Sequence, residues 1–263
     1  IAGREVVKID AANIQNLGGR ISGGQVDLKA AQDINNIGGT IDAATRLSLG
    51  AGRDVRVLTT TTRGGSTAAS SAAGVKVQTQ GIDRLAGLYV TEAGGQLNVK
   101  AGQDVILQGA QIKSEGSVDI QAERDIHLQS VATGRQEDIT WNKNNMRQVG
   151  VSQSVGTTIA AKEDIKLQAG NDIRAQAAEL AAGDKLSLQA GRDIVLEAAV
   201  DEQSAHTYQK HKNGLDYYSL DATRQEQSLN RTTLSGQDVT IKSGGDTTLS
   251  AVTVNAESLD IDA

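Results

Sequence analysis

Along most of the chain, aliphatic and small residues alternate with polar ones, and the alternation restarts about every twenty residues. In Leu186-Ser-Leu-Gln-Ala190 every second side chain is aliphatic or small; Gly191-Arg-Asp193 breaks the rhythm, and Ile194 and Leu196 resume it. Alternation at period two predicts short strands with one buried face. The tripeptide between them predicts a corner, with Gly191 free to adopt a left-handed conformation and the Asp193 carboxylate bonding nearby backbone amides. The aliphatic-x-aliphatic-x-small signature begins at Val7, Val26, Leu47, Leu97, Val118, Ile165, Leu186, Val239 and Leu259, which makes nine copies.

Adjacent copies lie 19 to 21 residues apart, except for three longer steps of 50, 47 and 53. A fixed period of this size predicts a solenoid whose repeats bury their faces against their neighbours. Twenty residues with corners make a loop of two or three short strands, so the expected fold is all-β: a right-handed parallel β-helix of about nine coils. The period does not suit leucine-rich repeats, which need a helical side and an Asn at a fixed place. The long steps leave excursions of about 29, 26 and 32 residues, at about 58–93, 129–156 and 197–232, following Val57, Leu128 and Leu196. They leave one corner every second coil. Each has its own alternation and a plausible turn: Ala73-Gly74, Asn142-Lys-Asn-Asn145 and Lys210-His-Lys-Asn-Gly214. Three β-hairpins are therefore expected, and two coils are as wide as two paired strands. They should form an additional sheet along one side of the β-helix.

Composition sharpens this reading. Aromatics are 2% and Phe is absent, so the core is Ile, Leu, Val and Ala, which suits a narrow stacked interior. There are 29 Gly and no Pro, and hence Gly, Asp and Asn make the corners. The net charge of −6 with no basic block argues against nucleic acid and anionic membranes as partners. Absence of Cys excludes disulfides and thiolate metal sites. No apolar run is long enough to span a bilayer as a helix. The chain opens at Ile1 without Met and reads as one repeat domain, 1–263, cut from a longer protein.

Alanine-Gly-basic-Asp-aliphatic, as in Ala51-Gly-Arg-Asp-Val55 and Ala190-Gly-Arg-Asp-Ile194, has kin at Ala101-Gly-Gln-Asp-Val105 and Ala169-Gly-Asn-Asp-Ile173. This motif resembles the haemagglutinin repeats of filamentous haemagglutinin-like exoproteins. The coil pair with its excursion is most similar to the longer repeats of CdiA-type contact-dependent growth inhibition proteins. The resemblance implies a two-partner secreted protein of Gram-negative bacteria, exported through an outer-membrane transporter and displayed at the cell surface as a β-helical filament. It further implies support or delivery of a C-terminal toxin, or, as an alternative, adhesion to a host or target cell surface. The chain contains no Val-Glu-Asn-Asn boundary, toxin domain or amino-terminal secretion domain. Absence of Cys fits passage through the periplasm unfolded.

Candidate chemistry is sparse. Asp33, Asp54, Asp104, Asp125, Asp172, Asp193 and Asp246 recur once per coil, each beside Arg, Gln, Asn or Gly. Calcium turns need several ligands per turn, so these aspartates are expected to cap corners. Ala31 and Glu123 replace the corner Gly, at a cost of about 1 kcal/mol if the corner is left-handed. A polysaccharide-cleaving β-helix enzyme is the remote alternative, but the aspartates repeat too evenly to single out a catalytic pair. His127, between inward Ile126 and Leu128, should face solvent, and His206 and His211 lack a third ligand. Gly64-Gly65 and Gly94-Gly95 lack the Lys-Ser/Thr of a phosphate loop. The expectation is a non-catalytic, monomeric fragment with no metal or cofactor. All five aromatics, Tyr89 included, are assigned to the excursions; Trp141, Tyr208, Tyr217 and Tyr218 are expected to pack the hairpin sheet or to meet a partner.

Overall fold

The computed structural model describes residues 1–263, and every regular element in it is a β-strand. Each circuit of the chain passes through three faces. The first face carries the sequence signature, in strands such as Gln96–Ala101, Ser117–Ala122 and Lys185–Ala190. The second follows the Gly-x-Asp corner, as in Val105–Gln108 and Ile194–Glu197. The third follows before the chain returns to the first, as in Gln111–Ser114 and Glu179–Ala182. Strands of successive circuits pair in parallel, giving an eight-stranded second sheet. The first and third faces merge into a fifteen-stranded sheet, because Arg20–Ala30 and Thr40–Ala51 run continuously from the third face into the first. Stacked parallel sheets of this kind are consistent with a β-helix.

The register places like on like. Leu28, Leu49, Val99, Ile120, Leu167, Leu188 and Ile241 form one column on the first face, each at most 1% exposed. Ile41, Leu88, Ile112, Ile159 and Leu180 form its counterpart on the third. One continuous aliphatic core results. Leu259 and Ile261 remain 49% and 44% exposed because the last circuit has a neighbour on one side only.

Three antiparallel hairpins leave the corner between the second and third faces. They are Thr60–Ala69 with Gly74–Arg84, Val131–Asn142 with Asn145–Val155, and Ala199–Asn213 with Asp216–Asn230. Neighbouring hairpins also pair antiparallel, Gly74–Gln80 against Gly134–Thr140 and Asn145–Ser152 against Glu202–Gln209. All six strands thereby form one separate sheet.

Several local expectations are corrected. The first hairpin ends at Arg84; Gly87–Val90 is a third-face strand, so Tyr89 lies in a circuit and not in an excursion. Its hydroxyl donates to Gln111 Oε1 at 2.9 Å, and burial pushes its pKa up. The polar stretch after Val90, with Gly94 at φ +69°, is the next corner and not the tail of the excursion. The first hairpin turns through Ser70–Ala73, so Gly74 opens the returning strand. The glycines of the Gly-x-Asp corner are not left-handed. Gly191 is required by stacking, since a Cβ there would sit 2.0 Å from the Gly170 carbonyl oxygen, and Gly52 meets Ala31 in the same way at 2.2 Å. Ala31 and Glu123 likewise have no positive φ and carry no such strain.

Candidate functional site

The aspartates form a ladder that runs through the corner between the first and second faces. Asp33 Oδ1 accepts the backbone N–H of Asp54 at 3.3 Å, Asp54 that of Asp104 at 3.1 Å, and Asp104 that of Asp125 at 3.2 Å. Asp125, Asp172 and Asp193 continue the series to Asp172, Asp193 and Asp246 at 3.0, 3.3 and 3.0 Å. Asn13 heads the ladder by accepting from Asp33 at 3.2 Å. Each carboxylate therefore caps the next circuit and not its own corner, which corrects the local capping expected from sequence. An Arg preceding the Asp of one circuit reaches back to the Asp of the circuit before: Arg53 to Asp33, Arg124 to Asp104, Arg192 to Asp172. These arginines recur in every second circuit, and where Asn171 or Gly245 takes their place, Asp125 and Asp193 have no such bidentate partner. The Arg192 guanidinium, helped by Arg174 and the Asp193 amide against the opposing effect of burial, holds the Asp172 pKa down to about 2. Arg53 and Arg124 lower Asp33 and Asp104 in the same way.

Buried threonines, not anticipated from sequence, secure the hairpin roots. Thr157 Oγ1 donates to the Gln129 or Leu107 carbonyl and accepts the Ala110 N–H, and Thr232 repeats this with Glu197 and Ala178. Thr59 donates to the Gly109 carbonyl and accepts from Ala86. The available signal was weak: Thr157 and Thr232 lie two residues before the third-face aliphatics Ile159 and Leu234, where three other circuits have Ala86, Ala110 and Ala178.

The hairpin sheet stands away from this framework. Only Val131 and Ala199, at the roots, are buried, and both broad faces meet solvent. The aromatics lie toward its distal margin. Tyr208 is half-buried opposite Met146. Trp141, at an irregularity one residue before the pair Asn142–Asn145, is 50% exposed. Tyr217 and Tyr218 are 62% and 51% exposed beneath the third turn, whose apex residue Leu215 makes no shielding contact at all. Lys210 sits over the Tyr217 ring, 5.8 Å from its centroid. The hairpin register puts Tyr208 and Tyr217 on one face of the sheet and Tyr218 on the other.

The histidines do not converge. His206 and His211 are an odd number of residues apart on one strand and point to opposite faces; His206 Nε2 lies 2.9 Å from Asp221 Oδ1. His127 points outward between buried Ile126 and Leu128. No three His, Cys, Asp or Glu side chains gather in a metal-holding arrangement.

A family profile described as "Hemagglutinin repeat" matches residues 10–91, 86–157, 142–227 and 217–263. The first two matches end just past a hairpin, and the third ends within the last strand of one. No curated protein sequence and no solved structure matches the chain.

Proposed function

This chain belongs to the hemagglutinin repeat family, and we propose on that footing that it is a non-catalytic β-helical segment of a secreted or cell-surface haemagglutinin-like exoprotein. In this reading the three faces close into one right-handed solenoid of about nine coils, since parallel crossovers are right-handed. Residues 1–263 act as one repeat domain of a longer filament, flanked by the hairpin sheet. Export through an outer-membrane transporter of the two-partner type brings it to the Gram-negative surface. There it holds a C-terminal toxin away from the producing cell, as in CdiA-type proteins.

The observation that supports this reading is the register of successive circuits, in which each stacks like side chains on the next and so adds length. The most buried carboxylates are already held by backbone amides and guanidinium groups, which leaves no convergent acid–base pair among them. An adhesin is the second reading, favoured by the exposed Trp141, Tyr217 and Tyr218 at the margin of the sheet.

Excising residues 1–263 from the full-length exoprotein should leave export intact and abolish contact-dependent inhibition of neighbouring cells. Inhibition that survives the excision would sink the delivery role. Release of sugars from bacterial or host polysaccharides by the purified chain would sink the non-catalytic assignment.

A further inference from the structure

The distal turns of the second and third hairpins carry a combination that the rest of the chain lacks. Turn apices ordinarily favour Gly, Asn, Asp or Ser, yet Leu215 occupies the third apex beside Gly214 (φ +58°) and is fully exposed. Trp141 flanks the neighbouring turn, and Tyr217 and Tyr218 follow Leu215 after Asp216. The two turns are joined, since Asn145 pairs with Gln209 and the Lys210 N–H donates to the Asn144 carbonyl at 2.8 Å. Lys143, Lys210 and Lys212 stand among these residues against Asp216, and the next charges inward, Arg147 and Asp221, offset each other. A chain of net charge −6 thus concentrates positive charge at one margin.

None of this helps to hold the fold. The margin covers no core, and Leu215 touches nothing. Trp and Tyr prefer the boundary between water and hydrocarbon, where the ring is buried and the polar edge stays wet. An aliphatic apex supplies a small apolar anchor, and lysines are drawn to an anionic surface. The third hairpin overshoots the second by the residues from Lys210 to Asn213, so a plane touching both turns crosses the strands at a slant. We propose that this margin docks on an anionic lipid bilayer, with Leu215 and Trp141 entering the interface and Lys143, Lys210 and Lys212 engaging lipid phosphates. Composition alone argued against a membrane, because the acidic solenoid hides the local excess of cations.

Trp141 is the sole tryptophan and therefore reports on its own turn. The chain, mixed with vesicles of phosphatidylcholine containing phosphatidylglycerol, should float with them, and its emission should shift to the blue. Binding should vanish with phosphatidylcholine alone and fall steeply with salt. Lys210→Gln with Lys212→Gln should weaken binding by roughly thirtyfold, and Leu215→Asp by about tenfold; Lys212 and Leu215 are exposed and Lys210 is half-exposed, so melting should change little. Failure to float, binding with unshifted emission, or full binding by the variants would overturn the proposal. So would protease-sensitive attachment to cells without vesicle binding, which would assign the margin to a protein partner. The proposal rests on the exoprotein reading only for how the chain meets a membrane, and a negative vesicle result leaves that reading standing.

Discussion

At the scale of single residues, the strongest forces lie in the corner ladder. Asp172 is nearly buried, accepts the Asp193 amide and faces both Arg174 and Arg192. Its removal in Asp172→Ala leaves a part-buried N–H unpaired and takes the partner from two solvent-exposed guanidinium groups, which should cost about 1–2 kcal/mol by chemical denaturation. Asp193→Ala should cost clearly less, since no Arg answers Asp193. Equal losses would show that the arginines add nothing. The same carboxylate sets the acid limit. Its folded pKa of about 2 lies below the ordinary aspartate value of 3.8, so its stabilisation is complete above pH 4 and disappears as pH falls toward 2. Asp33 and Asp104, lowered in the same direction, act in the same window. A melting temperature flat from pH 6 to pH 4.5 and falling steeply below should result, with the fall reduced in Asp172→Asn. Glycines divide just as sharply. Gly191→Ala drives a Cβ into a carbonyl of the circuit below, whereas a Cβ at Gly50 meets nothing within 4 Å. The first should destabilise, and the second should be neutral or gain up to about 1 kcal/mol by removing a strand glycine. A destabilised Gly50→Ala would contradict the stacking account.

At the scale of elements, two paired strands span what two circuits span, about 9.6 Å at ~4.8 Å per strand. This equality lets hairpins rooted in every second circuit meet edge to edge. Deleting Ser117–Asp184 removes two circuits with the middle hairpin and splices Gly116 onto Lys185, which occupies the register of Ser117. The first and third hairpins are again two circuits apart, and the shortened chain should fold with a cooperative melt. Deleting only Asp164–Asp184 removes one circuit and leaves two hairpins where one fits, so that chain should melt far lower. If the smaller deletion were the better tolerated, the spacing would not govern the sheet. This logic could be read from sequence because Val57, Leu128 and Leu196 recur at one phase of the alternation, and they do stand in one column. The columns through Leu97, Val118 and Leu186 could be read for the same reason: period two records which side is buried. What alternation cannot record is contact between circuits. Arg192 reaching Asp172, Gly191 stacking on Gly170 and Thr157 bridging a root all depend on the residue one circuit away. Tyr89 was misplaced because a four-residue third-face strand between two polar loops carries too little pattern to be separated from the hairpin before it. The sequence pointed to Trp141, Tyr217 and Tyr218 but not to Leu215 or the lysines, because the two turns come together only once the hairpins pair.

At the scale of the whole molecule, stacked repeats are coupled only to their immediate neighbours, which favours fraying from the ends over all-or-none unfolding. The last circuit already shows it: Leu259 and Ile261 are 49% and 44% exposed, while Leu186 and Leu188 in the same columns are fully buried. The hairpin sheet adds a second line of coupling. Its antiparallel junctions join circuits two apart, and the same circuits are bonded through the intervening one. A sheet with both faces wet gains little from apolar burial, so backbone pairing is its main contribution, and proline is the reagent that isolates it. Val149 lies in the strand Asn145–Val155, paired with Glu137 on one side and Ala205 on the other. Val149→Pro removes a donor from a strand interior and should cost about 3 kcal/mol or more. In the parent chain, Trp141 emission, which follows the sheet, and far-ultraviolet circular dichroism, dominated by the parallel faces, should report one shared transition. In Val149→Pro the Trp141 transition should come first. The remaining circuits should then melt several degrees below the parent midpoint and over a broader range, because the long-range staple is gone. An unchanged midpoint for the parallel faces would mean that the hairpins ride on the solenoid without stabilising it, and their pairing would then serve only to hold the distal margin in place.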